Sequence, residues 1–286
     1  MAASGIEPGE FRSKQRQAWE GAAAGWDRWK EMVEVGAARV SERLVEMAEV
    51  EPGSRVLDVG AGYGEPSLTA AKAVGPEGCV VATDISAAML GFARQRAEGA
   101  GVENIEFAEV HAGELDFDQD SFDAALSRWG IIFDPDGEGA AARVRRVLRP
   151  GKRFAISSWA TPDRVPFLGV AIRTALKELN ADPPPPGTPG PLSRPTPDAL
   201  SGLLEGGGFS DVRVDEADVV LTFGSAEDYA RYVHEIAPPV NALIDPHPED
   251  VRERVWAAIV EAAQEDASED GSLVLHNLAL LAAGRA

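Results

Sequence analysis

Val56-Leu57-Asp58-Val59-Gly60-Ala61-Gly62-Tyr63-Gly64 sets the architecture of this chain. Residues 54–60 form an apolar run ending on glycine, the pattern of a strand buried on both faces. A glycine loop at the carboxyl end of such a strand is where open α/β sheets bind ligands. Glycine lets backbone approach a ligand closely and reach positive φ. A dinucleotide fingerprint needs G-x-G-x-x-G. Here the spacing is G-x-G-x-G, and Glu65 stands where the third dinucleotide glycine would be. No Gly-Lys-Ser/Thr follows, which excludes a phosphate-binding P-loop. Taken alone, the motif reads either as a ligand cradle or as a tight strand-to-helix turn.

Downstream, strands and helices alternate. Residues 66–74 read as a helix with Pro66 in its first turn. Residues 79–85 read as a strand, after which Ser86 caps a helix running to about Glu98. Strands follow at 105–111 and 122–130, a helix at 140–151 stopped by Pro150-Gly151, and a fifth strand at 153–159. This rhythm predicts an α/β fold with a doubly wound, mostly parallel sheet. Upstream, residues 11–50 read as helix and carry Trp19, Trp26 and Trp29. Past Trp159 the rhythm breaks. Residues 166–180 look helical. The stretch 181–197 holds eight prolines and is either a stiff surface connection or part of a lid. A helix is expected at 198–209 and strands at 211–223 and 272–286. Between those strands, 226–264 is a helical stretch broken near Pro238-Pro239 and Pro246-His247-Pro248. The expected organisation is a helical N-terminal cover over 1–50, a ligand-binding core over 51–160 and a proline-rich helical cap insertion over 161–210. Residues 211–286 then return strands to the core sheet, with a second helical insertion at 226–264.

The chain has 286 residues and a formal net charge of −20. That field repels phosphate backbones and anionic membranes, so neither nucleic acid nor a membrane is expected as a partner. No apolar run approaches the ~20 residues that span a bilayer. The start, MAASGIEPGEF, lacks the pattern of a secretory signal, which points to a cytoplasmic protein. The lone cysteine, Cys79, excludes an internal disulfide framework and a multi-cysteine metal site, and no metal is expected. The acidity reads either as solubility with a coding bias or as adaptation to high salt.

A second motif follows at Val80-Val81-Ala82-Thr83-Asp84-Ile85-Ser86. Asp84 ends the next strand. Its carboxylate can accept hydrogen bonds from two ribose hydroxyls, or it can simply cap the following helix.

With these two motifs, residues 112–126 and Val144-Arg145-Arg146-Val147-Leu148-Arg149-Pro150-Gly151-Lys152 complete a pattern. From about residue 40 to 160 the chain resembles the class I S-adenosylmethionine (SAM) dependent methyltransferases. Within them it is similar to the small-molecule branch that includes quinone-biosynthesis methyltransferases. The resemblance implies a Rossmann-like, seven-stranded fold, SAM as cofactor and S-adenosylhomocysteine as product. It places Gly60, Ala61, Gly62 and Gly64 along the methionine part of SAM. Asp58 orients the loop or reaches the ammonium group through water. Asp84 binds the ribose, while Ile85 and Met89 pack on the adenine. Ala112, Gly113 and Glu114 lie along the adenine edge, and Ser127 and Arg128 meet the methionine moiety through backbone atoms. Many relatives carry an acidic residue where this chain has His111. That imidazole either meets the adenine amino group or is a satisfied strand-end histidine.

Methyl transfer mainly needs positioning and exclusion of water, and needs a base only if the nucleophile must lose a proton. His234, in Tyr229-Ala230-Arg231-Tyr232-Val233-His234, is the candidate base; the alternative is an exposed helix histidine. His247 and His276 read as structural. Trp129 is expected either as a pocket wall or as core, and Trp19, Trp26 and Trp29 either as a cover over the cofactor or as helix packing onto the sheet. The segment Ser127-Arg128-Trp129-Gly130 lacks the motifs of amino, cytosine and arginine methyltransferases. A small organic acceptor methylated at O, N or C remains, under a roof built from 160–265. Two other readings stand beside it: an amine N-methyltransferase toward a compatible solute, and a non-catalytic SAM-binding regulator.

Overall fold

A computed structural model describes residues 8–185 and 187–286. The opening MAASGIE, on which the reading of the N-terminus partly rests, and Pro186 lie outside the described residues. The chain begins with α1 (Pro8–Met47), then β1 (Arg55–Val59), α2 (Ser67–Val74), β2 (Cys79–Asp84), α3 (Ala87–Gly99), β3 (Ile105–Glu109) and β4 (Phe122–Arg128). It continues through α4 (Gly137–Val147), β5 (Leu148–Trp159), α5 (Pro166–Leu179), α6 (Pro197–Gly206) and β6 (Ser210–Phe223). Helices α7 (Ala226–Ile236), α8 (Pro238–Ile244) and α9 (Glu249–Gln264) precede β7 (Leu273–Arg285).

One sheet holds seven strands in the order β3-β2-β1-β4-β5-β7-β6. β1 pairs in parallel with β2 and β4, and only β7 runs against its neighbours β5 and β6. The order reverses at β1, between β2 and β4. The crevice above the strand ends opens at that reversal. The strands of this sheet are apolar because helices cover both faces: Val56, Leu57 and Val59 are fully buried. Helix α1 contacts both α2 and α3, while α4 and α6 form a second group, as the two layers of a doubly wound sheet require. α5, α7, α8 and α9 pack together beside β7.

α1 shows why a periodic stretch becomes a long helix. Val33, Ala37, Val40 and Leu44 recur at helical spacing and are buried against the sheet. Hydroxyl and carboxylate caps start the shorter helices. Ser86 Oγ accepts from Met89 N at 3.1 Å, and Ser225 Oγ accepts from Asp228 N at 3.2 Å. Pro238 sits in the first turn of α8, so the Pro238-Pro239 break begins a helix as well as ending one.

Two boundaries differ most from expectation. α4 ends at Val147, because the residue before Pro150 is driven out of helical conformation and the chain extends early. β5 therefore starts at Leu148, opposite Phe122, with a register shift before the regular pairing of Ala124 with Arg153. Among the described residues, no helix is long and apolar enough to cross a membrane.

Candidate active site

The glycine loop turns because its backbone can go where other residues cannot. Gly60 has φ +73°, and a Cβ there would lie 2.8 Å from the Gly130 Cα. A Cβ on Gly130 would in turn meet the Val59 carbonyl at 2.5 Å. The turns after β1 and β4 thus cross at glycine on glycine. Ser127 Oγ locks the crossing by donating to the Val59 carbonyl at 2.6 Å and accepting from Ile131 N at 2.9 Å. Gly62, with φ +53°, faces open space, which leaves its backbone clear for a ligand.

Above the loop lies a large cavity enclosing about 1310 Å³ of empty space, its mouth included. Gly60, Ala61 and Gly62 line it, together with Asp84, Ile85 and Met89. Asp84 Oδ2 accepts from Gly62 N at 2.8 Å and Oδ1 from Ser86 N at 2.9 Å. Burial pushes its pKa above the ordinary carboxylate range, against the pull of these backbone N–H groups. Ala112 and His111 lie off the end of β3, and Arg128 and Trp129 off β4. Arg128 is buried and donates to Ser41 Oγ at 3.0 Å and to Tyr63 Oη at 3.1 Å.

Other expected residues stand behind the wall. Asp58 is fully buried beneath the loop, where Oδ2 accepts from Ser67 Oγ at 2.5 Å and Oδ1 has no partner. Burial pushes its pKa up to about 7. Of its two expected roles, this placement matches support of the loop. Gly64 meets the Ala93 side chain of α3 and is not on the wall. Ser127 is buried under the crossing it locks. Gly113 gives its N–H to His111 Nδ1 at 3.0 Å, and Glu114 is exposed and paired with Arg12 of α1. Trp29 sits behind Tyr232, edge-on at 5.6 Å, and its Nε1 donates to Glu235 at 2.7 Å. His234 is not brought to the cavity. It lies on the exposed face of α7, its ring 4.9 Å from Trp256, because the inward face of α7 is taken by Tyr232, Val233 and Ile236. No acid-base role toward the cavity is open to it from there.

Trp129, expected as pocket wall or as core, lines the cavity beside three aromatics that the sequence did not single out, Trp159, Phe167 and Tyr232. Trp129 adopts φ +56° and stacks flat on Trp159, with centroids 4.3 Å apart and planes 9° off parallel. Trp159 meets Phe167, and Phe167 meets Tyr232. These aromatics gather from the turn after β4, from the end of β5 and the start of α5, and from α7. Trp159 ends a core strand, and that position was the one available signal. Trp19 and Trp26 reach the cavity from α1, and Pro191 reaches it from the proline-rich stretch. That stretch is anchored near the site: Gly190 N and Ser193 Oγ both donate to the Ile132 carbonyl. Asp134, after β4, also lines the cavity. Among the described residues, no His, Cys, Asp and Glu side chains cluster in threes to hold a metal.

Comparison with known proteins gives consistent findings. A family model described as a methyltransferase domain matches residues 56–151. An uncharacterized protein of Mycobacterium tuberculosis (strain ATCC 25618 / H37Rv) is 34% identical over 193 residues, covering 66% of this chain and 69% of that protein. The aklanonic acid methyltransferase DauC of Streptomyces sp. (strain C5) is 39% identical over 119 residues, covering 42% of this chain and 54% of that one. The ubiquinone/menaquinone biosynthesis C-methyltransferase UbiE of Hahella chejuensis is 32% identical over 155 residues, covering 54% and 62%. Among solved structures, Haemonchus contortus phosphoethanolamine N-methyltransferase 2, bound to phosphomonomethylethanolamine and S-adenosylhomocysteine, aligns with a TM-score of 0.58 at 17% identity. That alignment covers 96% of this chain and 60% of that one, and it speaks to the fold alone.

Proposed function

Because the chain belongs to the class I SAM-dependent methyltransferases and is an enzyme acting on a small molecule, we propose that its acceptor is planar, apolar and without positive charge. The acceptor binds on the aromatic wall made by Trp129, Trp159, Phe167 and Tyr232. That wall is the observation carrying the reading. On this reading residues 51–160 hold the cofactor and lend Trp129 and Trp159 to the acceptor side, which 161–210 and 211–286 complete, under the cover of the N-terminal helix.

The cofactor fits the residues present. Gly60, Ala61 and Gly62 offer open backbone, and Asp58 beneath them supports the loop through Ser67. Asp84 stands one strand away with lone pairs left for ribose hydroxyls. Ile85 and Met89 give apolar contact to the base. When bound, SAM supplies a sulfonium methyl, which an acceptor nucleophile takes in line as the carbon–sulfur bond breaks and its electron pair stays on sulfur.

The protein then positions the nucleophile and excludes water. The side toward β5, β6 and α7 is walled by Val219, Leu221, Phe167, Leu168 and Ile236, and none of these can take a proton. Burial raises the pKa of the Tyr232 hydroxyl well beyond its ordinary value, so it stays protonated. The acceptor is therefore a group acidic enough to enter the site already ionised, its proton left in bulk water, such as an enol, a phenol or a carboxylic acid. The Arg128 guanidinium lies 5.2 Å from the Trp129 ring centre. Its charge disfavours a cationic amine on that ring, which sets aside the compatible-solute reading. The names of DauC and UbiE point the same way, to an organic acid and to quinone biosynthesis.

The test is a panel read out as S-adenosylhomocysteine released. Planar phenolic, quinoid and polyketide-like acids are expected to turn over, and phosphoethanolamine and aliphatic amines are not. Turnover of the amines alone overturns the reading. Asp84→Ala should weaken S-adenosylhomocysteine binding by about 100-fold, from loss of two charge-assisted hydrogen bonds. Unchanged affinity removes Asp84 from the ribose.

A further inference from the structure

At the end of the cavity off β2 and β3, a slot is bounded by Ile85, Met89, Val110, Trp19 and Phe133. Trp19 meets Phe133 edge-on at 5.0 Å. Its polar edge is a pair, His111 and Asp134, whose side chains are 7% and 4% exposed. His111 Nδ1 accepts from Gly113 N at 3.0 Å. That lone pair is spent, so the neutral ring carries its proton on Nε2. Burial lowers the pKa of His111, which keeps the ring neutral. Asp134 Oδ1 accepts from Asp136 N at 2.8 Å. Its Oδ2 lies 3.5 Å from His111 Nδ1 and has no hydrogen-bond partner. Nδ1 cannot supply one, since it is itself an acceptor. Burial pushes the Asp134 carboxyl above its ordinary pKa against the pull of the Asp136 N–H, so its ionised form there is costly unless a ligand brings an N–H or O–H to Oδ2.

The slot thus offers an acceptor, Asp134 Oδ2, beside a donor, His111 Nε2–H. We propose that Asp134 accepts from the exocyclic amino group of the cofactor's purine while His111 donates to the neighbouring ring nitrogen. The pair then selects a 6-aminopurine over a 6-oxopurine. This rests on the reading above that the cavity holds the adenosyl cofactor. It reassigns the amino contact from His111, because the bond to Gly113 leaves the imidazole a donor on its open side. An oxopurine presents the inverse edge, with a carbonyl against the carboxylate and an N–H against the imidazole N–H. Both contacts are then repulsive, and a site built on hydrogen bonds rejects such an isostere strongly.

Calorimetry with S-adenosylhomocysteine, S-inosylhomocysteine and the N6,N6-dimethyl analogue tests this. The unmodified protein is expected to bind both analogues at least about 100-fold more weakly than S-adenosylhomocysteine. In Asp134→Asn the carboxamide can turn its N–H toward the oxo group. The adenosyl-to-inosyl preference should then fall by at least about tenfold. Gln15 also lines the cavity, and its Nε2 is already given to the Phe133 carbonyl at 2.7 Å. Should Gln15→Ala move the preference while Asp134→Asn leaves it, the assignment to Asp134 is wrong. Should Asp134→Asn not fold, the unmodified protein still answers: dimethyl analogue bound as tightly as S-adenosylhomocysteine overturns the proposal. No binding of S-adenosylhomocysteine at all refutes the cofactor-site reading instead, a different result.

Discussion

Asp58 is the residue whose chemistry depends most on its surroundings. It is fully buried, one oxygen is unpartnered, and burial pushes its pKa up to about 7 against the pull of the Ser67 hydroxyl. A carboxyl with a raised folded pKa binds its proton more tightly folded than unfolded. Its protonated form therefore supports the fold at low pH, and that support is lost as pH rises from the ordinary carboxylate range toward 7. The full span is on the order of 4 kcal/mol, with other buried acids such as Asp84 adding their own slope. Asp58→Asn removes this titration. Urea unfolding at pH 5 and pH 8 should show a smaller stability difference in the variant than in the unmodified protein. An equal difference in both means Asp58 does not carry the slope. The motif singled out Asp58 by position, yet nothing in Val56-Leu57-Asp58-Val59 says how deep the side chain lies. A strand's apolar run announces burial of its neighbours, and the acid is buried along with them.

α1 divides at Gly25, where a Cβ would stand 2.4 Å from the Glu235 carbonyl of α7. Beyond that contact, Val33, Ala37, Val40 and Leu44 are buried, the valines and leucine each worth about 1.5–3 kcal/mol. Before it, only the small Ala22 and Ala23 are buried and Trp19 packs on Phe133; the rest is polar ties: Arg12 to Glu114, Arg16 to Glu109 at 3.1 Å, Gln15 to the Phe133 carbonyl, and Glu20 to Ala87 N at 3.0 Å. Exposed pairs of this kind contribute about 0–1 kcal/mol each. Gln15 and Trp19 of this first half are also cavity walls. Amides in 10–24 should therefore exchange hydrogen faster than those in 33–44, and should gain protection when S-adenosylhomocysteine binds. Equal protection in both halves, or no change with ligand, refutes a separately opening segment. The core strands and helices were legible because their periods are strict and their caps are local. Of the aromatic wall only Trp129 was singled out, as wall or as core; Trp159, Phe167 and Tyr232 were not, because they join it only through tertiary packing. His234 misled for the same reason. The helix containing it was legible, but which face turned inward depended on Tyr232, Val233 and Ile236 packing against the sheet and α5.

The whole molecule carries a net charge of −20 on a single sheet-centred body. Many arginines are already engaged. Arg153, 1% exposed, joins Glu49 at 2.7 Å and Asp211 at 2.5 Å, tying the end of α1 to β5 and β6. Arg43 joins Asp215 at 2.5 Å across the same side of the sheet. With 47 acids against 27 lysines and arginines, such pairing leaves an excess of carboxylates on the surface. Their mutual repulsion opposes the compact state and is screened beyond about 8–10 Å at moderate salt. Salt also weakens the exposed ion pairs, but each of those contributes little, so the repulsion term wins. The melting temperature should rise by a few degrees between about 0.05 M and 0.5 M sodium chloride, where the screening length shortens most. A scan in chloride salts checks this without the added stabilisation that sulfate brings through surface exclusion. A melting temperature that falls with salt would mean the specific pairs, Arg153 and Arg43 foremost, outweigh the excess charge. The acidic composition would then reflect solubility alone, with no link to a saline interior.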